Sequence, residues 1–309
     1  MRVCANFCYH IQMDPLTLII LFVFGAAIGS FLNVVATRYD GERFLFSAEM
    51  IGGRSHCTHC GKTLRWFELV PLLSFIIQGG RCRRCKARLS FQYPAVELIS
   101  GFIFMTVPLA LGVGMVLPGG LAAAPIAAPL ICIVVLWVAV FEALLVMSLI
   151  DIRLGIIPDE INIFLGVAGI ALAIILAGYF GAANRSFLGL YAALFGWQGD
   201  VILAKVIGAA VGGLFFTLLI AVTRGKGMGM GDLKLAIPLG LIFGWPDIIF
   251  VLVFAFVIGA AAGIFAIMRG KNTMKGTLPF GPFLALGAAT VFFAGLPIVT
   301  WYFSLLGIQ

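Results

Sequence analysis

The 309-residue chain is 62% hydrophobic and only 11% charged, with a mean hydropathy of +1.14. Soluble domains are about half apolar and a quarter charged, so this composition excludes a soluble globular protein and places the chain in a bilayer. The formal charge of +7 points to membrane topology and contact with anionic lipids. No basic face with base-reading elements accompanies it, which argues against nucleic acid as a partner.

Residues 1–12 lack the order of basic, apolar and small residues that marks a removable signal, and a start at Met13 would explain the segment equally well. Crossing a ~30 Å hydrocarbon core takes roughly 20 apolar residues. Such runs lie near 16–37, 95–117, 124–150, 156–180, 200–223, 248–268 and 279–305. An eighth segment, 233–246, carries Pro238, Gly240, Gly244 and Pro246. It is short for a straight crossing, so a tilted or re-entrant helix competes with a full span. The expected fold is an all-α polytopic membrane protein with seven or eight transmembrane helices and one cytoplasmic zinc-knuckle loop. Ten of the 20 Lys and Arg fall in 38–93, seven more fall on the same side if the spans alternate, and three (Arg2, Arg185, Lys205) fall elsewhere. By the positive-inside rule that side is the cytoplasm, with both termini outside.

The 38–93 loop is the one long polar stretch. It holds "CTHC" (Cys57, Cys60) and "CRRC" (Cys82, Cys85), separated by 21 residues. Two such turns present four thiolates to a structural zinc. Two disulfides are the alternative, disfavoured in a reducing cytoplasm. His56 and His59 could substitute as ligands but read as ordinary loop histidines, and Cys4, Cys8 and Cys132 have no partner at metal spacing. A loop this small buries little core, so a metal staple is expected. The division that follows is an N-terminal extracytoplasmic segment 1–15, a first transmembrane helix 16–37, the zinc loop 38–93 and a membrane-embedded domain 94–305.

Ionisable residues inside a membrane are costly and functional by default. Glu97, Glu142, Asp151, Asp159 with Glu160, and Asp232 qualify. Asp151 ends a long apolar helix at the cytoplasmic side, and Asp232 opens the short eighth segment on that same side. Topology therefore brings both to one depth at one face. Two close carboxylates share a proton, so one can act as base on a water while the other polarises a carbonyl. Gly227, Gly229 and Gly231 remove side chains beside Asp232 and admit an extended substrate backbone. The structural readings are equally concrete: Asp232 as a helix cap, Asp151 as a partner of Arg153, and Asp159 or Glu160 as first-turn acids on a helix dipole. Glu97 and Glu142 read as buried hydrogen-bonding residues or parts of a polar pocket. Glu142 stands about 13 Å up the helix from Asp151, too far for chemistry there. A proton-coupled transporter would instead spread charges near mid-membrane over several helices. The residues alone leave cap and catalyst open.

Seven motifs then stand in order: "GSFLNVVATR" (29–38), "VPLLSF" (70–75), "GGRC" (79–82), "YPAVELIS" (93–100), "SLIDIRLGIIPD" (148–159), "GMGDLKL" (229–235) and "LPFGPFLA" (278–285). With the two CxxC pairs, the chain from about Pro15 resembles the type IV prepilin peptidases of pilus assembly and type II secretion. The resemblance implies a membrane aspartic endopeptidase of the GxGD type with Asp151 and Asp232 as the catalytic pair. Its expected substrates are prepilins or pseudopilins, cut after a glycine at the cytoplasmic face of the inner membrane. It also implies methylation of the new N-terminal amine with S-adenosylmethionine, linked in the family to the zinc loop and to the pair at Gly80 and Arg81. Arg81 stands where Lys is commoner in the family, and Leu69 where Asn is commoner, which keeps a peptidase without methyl transfer as the near alternative.

Overall fold

The computed structural model describes residues 13–45, 47–112, 124–180, 186–195, 200–225, 228–269, 279–305 and 307. The N-terminal segment before residue 13, residues 113–117 of the expected second span, and Gly227 lie outside the described residues. Among those described, every regular element is helical, and seven helices are long and apolar enough to cross a membrane. The chain divides into two compact units, Met1–Arg38 with Ala48–Glu142, and Tyr39–Ser47 with Ala143–Gln309.

The first unit is built on α1 (Pro15–Arg38) packed along a later helix, with the zinc loop between them in sequence. That loop contains the short helices α2 (Ala48–Ile51) and α3 (Leu73–Ile77), and the partner of α1 is α4 (Gln92–Ala110). Without a hydrophobic driving force in lipid, helices pair where small residues let backbones approach. Gly25 and Gly29 do this on α1. A Cβ at Gly25 would lie 2.7 Å from the Ser100 carbonyl oxygen, and one at Gly29 2.5 Å from the Ser100 Cβ. The Ser100 hydroxyl lies within hydrogen-bond reach of the Gly25 carbonyl (2.6 Å) and of Glu142 Oε1 (2.8 Å). Phe22 and Phe24 meet Phe102 and Phe104 edge to face along the same seam. The unit takes α5 (Ala124–Leu154) as far as Glu142.

The second unit takes α5 from Ala143 and adds α6 (Asp159–Phe180), α7 (Val201–Thr223), α8 (Met230–Phe243), α9 (Asp247–Met268) and α10 (Gly281–Leu305). Helix α8 is the eighth segment of the sequence. Its 14 residues rise only about 21 Å, short of a ~30 Å core, and it lies outside the set of seven. It packs on α6 and α7. Ala236 and Gly240, four apart on α8, meet Gly212 and Gly208, four apart on α7: a Cβ at Gly208 would lie 2.5 Å from the Gly240 oxygen, and one at Gly212 2.7 Å from the Ala236 oxygen. The last carbonyls of a helix have no partner within it. Here the buried Lys205 of α7 donates from Nζ to the Ile242 and Phe243 carbonyls at 2.6 and 3.0 Å. The last two carbonyls of a helix that stops short of a crossing are thereby satisfied.

Candidate functional site

Helix α5 runs past the expected end of its span to Leu154, so Asp151 sits in its last turn. Gly155, at φ +68, closes the helix by donating to the Asp151 carbonyl at 2.8 Å. The Asp151 side chain is buried, and its Oδ2 accepts the Gly281 amide at 3.0 Å. Gly281 is the first residue of α10, so the carboxylate satisfies one of that helix's free N-terminal amides and meets the positive end of its dipole. Asp232, also buried, lies in the first turn of α8, where its Oδ2 accepts the Gly229 amide at 3.2 Å. The two acids interact electrostatically. In each case the second carboxylate oxygen has no hydrogen-bond partner among the described residues. Both aspartates are thus buried helix-terminal acceptors with one oxygen to spare, and a capping role does not exclude a catalytic one.

The neighbouring glycines differ in what they do. Gly231 faces Ile157, where a Cβ would make ordinary contact at 3.4 Å, and Gly229 has only Asp232 and Gly231 near it. Gly281 is far tighter: a Cβ there would lie 2.7 Å from Asp151 Oδ2 and 2.7 Å from the Met147 sulfur. Gly281 is a positioning residue that scanning for charged groups misses, although the motif "LPFGPFLA" contains it. The remaining acids have structural partners. Asp159, in the first turn of α6, takes the Lys234 ammonium at 2.8 and 2.9 Å on the surface, and Glu160 accepts the Leu45 amide at 3.4 Å. Arg153 donates to the Tyr39 carbonyl. Glu142 meets Ser100 in the first unit, and Glu97 there accepts the Leu72 amide at 2.7 Å.

A further buried polar group joins Lys205 to Asp247. The Asp247 carboxylate accepts from the Ser186 hydroxyl and, at 3.0 Å, from the Phe187 amide, and it interacts electrostatically with Lys205. Asp247 escapes a search for acids inside apolar runs because it opens α9 directly after Pro246. Lys205 registers in the sequence only as one of three cations off the basic side.

In the first unit the four cysteines converge. Their sulfurs all lie within 4.8 Å of one another, with Cys57 and Cys85 3.8 Å apart. Thiolates ~2.3 Å from a tetrahedral zinc stand ~3.8 Å from each other, so the set fits zinc, and all four are free of disulfides. The two knuckles repeat one design. The Cys57 amide donates to the Lys62 carbonyl and the Gly61 amide to Cys57. At the second knuckle the Cys82 amide donates to Ala87 and the Lys86 amide to Cys82. The residue after each second cysteine is left-handed, Gly61 at φ +68 and Lys86 at φ +58. The amides of Cys85 and Arg84 point at the Cys82 sulfur and hold its thiol at about 6, well below the ordinary range. His56 and His59 stay outside the cluster. Gly80, at φ +65, donates to the Phe75 carbonyl at 3.0 Å and accepts the Leu89 amide at 2.8 Å, and Arg81 bridges to Arg88.

Among the described residues, seven membrane-length helices, a short eighth helix that carries one of two buried aspartates, and four converging cysteines define a class, the polytopic membrane proteins with buried acids. Comparison with known proteins makes this particular. A model of the bacterial peptidase A24 N-terminal domain matches residues 23–111, and one of the type IV leader peptidase family matches residues 138–264. A prepilin leader peptidase/N-methyltransferase of Burkholderia pseudomallei (strain 1026b) is 36% identical over 92% of this chain and 86% of its own. Proteins with the same description from Bacillus subtilis (strain 168) and Aeromonas hydrophila are 31% identical over 93% and 98%, and 29% identical over 92% and 93%, of the two chains. No solved structure matches. The chain belongs to the type IV leader peptidase family.

Proposed function

We propose that this protein is an aspartic endopeptidase of the inner membrane. It removes the short leader of type IV prepilins or pseudopilins at the cytoplasmic face, and then methylates the exposed amine with S-adenosylmethionine. The pairing of Asp151 with Asp232 carries the proposal: two buried, coupled carboxylates, each tied down on one oxygen by a backbone amide. Two carboxylates so placed cannot both ionise cheaply and share one proton. The ionised member takes a proton from water through its free oxygen while the protonated member donates to the scissile carbonyl. The water oxygen bonds to the carbonyl carbon and gives a tetrahedral intermediate. Transfer of a proton to the amide nitrogen then breaks the C–N bond, releasing a carboxylic acid and an amine. The Gly281 and Gly229 amides hold both acids in place throughout, and the side-chain-free Gly229 and Gly231 leave room for an extended backbone.

The basic residues of 38–93 support a cytoplasmic zinc loop, with Cys57, Cys60, Cys82 and Cys85 as ligands. A zinc held by these residues would supply a cross-link for a loop too small to fold on apolar burial alone. S-adenosylmethionine, when bound, supplies an electrophilic methyl group. The receiving pilin amine must lose its proton before it can attack. The relatives' shared description, over more than nine-tenths of this chain, supports the pairing of the two activities. The test is co-expression with a prepilin, reading the intact mass of the product. Loss of the leader with a further 14 Da is expected; a product without the 14 Da removes methyl transfer, and an uncut precursor removes the proposal.

A further inference from the structure

The first unit encloses a cavity of about 690 Å³, lined only by residues of that unit, among them the knuckle cysteines Cys57 and Cys82 and the cations Arg38 and Arg88. Small-molecule sites typically occupy roughly 300–1,000 Å³ and combine apolar walls with a few fixed polar groups. Glu97 of α4 is such a group. It is only 7% exposed and lines the cavity. Its Oε2 accepts the Leu72 amide at 2.7 Å, and its Oε1 has no hydrogen-bond partner among the described residues.

The backbone that holds Glu97 is unusual. Leu72 has φ 59 and ψ −51, and the Leu73 amide donates across it to the Pro71 carbonyl at 2.5 Å. This is a γ-turn of the rare, strained kind, held by a side-chain-bearing residue where glycine would sit more easily. Strain of this sort persists where the surroundings fix it and gathers at ligand sites. Here it turns an amide onto the carboxylate and starts α3, whose Ser74 and Phe75 also line the cavity. Tyr93 adds a second aromatic side chain from α4. Gly80 and Arg81 do not line the cavity, but Gly80 backs the Phe75 ring. A Cβ on Gly80 would lie 3.1 Å from Phe75 Cζ, at a φ of +65 that already favours glycine.

Among the described residues, no hydrogen bond or ion pair joins Glu97 to Arg38 or Arg88 across the cavity. A carboxylate enclosed this far, with an oxygen to spare, therefore has room for a further cation, and aromatic side chains beside it suit a flat heterocycle and a sulfonium. We infer that this cavity receives S-adenosylmethionine, with Glu97 facing its cationic sulfonium pole and Phe75 and Tyr93 flanking its adenosine. The inference rests on the methyl-transfer half of the function proposed above. The hydrolytic acids belong to the other unit and take no part in it.

Charge is what separates the donor from its product, because S-adenosylhomocysteine keeps the adenosine and loses the sulfonium. Equilibrium binding of each to the full-length, zinc-loaded protein in detergent, without prepilin, tests the assignment. The Glu97→Gln variant is expected to weaken S-adenosylmethionine roughly tenfold or more and to leave S-adenosylhomocysteine nearly unchanged. The Ser74→Trp variant fills the cavity and is expected to abolish both. Zinc content and helical circular dichroism establish that each variant is folded. Equal binding of the two ligands by wild type and Glu97→Gln, or an equal loss of both in the folded variant, would overturn the role of Glu97. Undiminished binding by folded Ser74→Trp would overturn the cavity. A wild-type pilin product lacking the 14 Da increment would instead sink methyl transfer itself.

Discussion

In the first unit four thiols converge from two turns 21 residues apart, whereas in the second two buried carboxylates, Asp151 and Asp232, 81 positions apart, interact electrostatically. The difference lies in what does the gathering. Each knuckle is made by its own few hydrogen bonds, Cys57 with Lys62 and Cys82 with Ala87, and a metal held by the four thiols would supply the long-range bond. The acid pair has no such third party. Each acid is held by helices: α7 and α8 cross at glycines, Lys205 closes the far end of α8, and the first amide of α10 donates to Asp151. Substitutions should therefore damage the first region all at once and the second by degrees.

The largest effect is expected at a knuckle. Cys57→Ser should reduce bound zinc from about one per chain to none, because three thiolates leave a structural site open, and methyl transfer should vanish with it. Metal analysis of the purified protein and the 14 Da increment report the two losses; a variant that keeps stoichiometric zinc would break the contrast. Next is Lys205→Met, which strands the α8 carbonyls and leaves Asp247 without its cation. Removing one partner of a buried pair costs about 3–5 kcal/mol, so thermal unfolding in detergent should show a clearly lowered midpoint. An unchanged midpoint would mean that α8 needs no such anchor. Gly281→Ala comes third. Its methyl group must displace Asp151 by a large fraction of an ångström, and displacements of that order cost about 10²-fold in rate. Initial rates of leader removal measure this, with zinc content expected to be unaffected. The smallest effect should be favourable. Lys86→Gly relieves a left-handed residue at the position Gly61 holds in the other knuckle, which is worth about 1 kcal/mol, and should slow zinc loss to a chelator.

These two regions also differ in how far they could be read in advance. The gathering of the four cysteines was legible, since a C-x2-C pair fixes its own turn and two such pairs suit one tetrahedral metal. The spans were legible from apolar length, with α8 set apart by its glycines and prolines. That Asp151 and Asp232 stand at helix ends was legible from topology, but how each is held was not. Gly281 carries no charge, and its importance lies in an amide and an absent Cβ that only the approach of α10 to Asp151 reveals. Asp247 hid at a span boundary, and Lys205 makes sense only once α8 is seen to stop short beside it. The strained turn at Leu72 likewise leaves no mark in "VPLLSF", because leucine is an unlikely residue for that backbone.

The central claim is that Asp151 and Asp232 are chemically active and not merely helix-terminal acceptors. Asparagine separates the two roles, since its side-chain oxygen can still accept the Gly281 or Gly229 amide but cannot exchange a proton with water. Leader cleavage and thermal unfolding should be measured together for Asp151→Asn and Asp232→Asn. The account predicts near-native unfolding with cleavage lowered by at least ~10³-fold in each. A folded variant that cuts within a few-fold of wild type would contradict it and return that aspartate to a purely structural role.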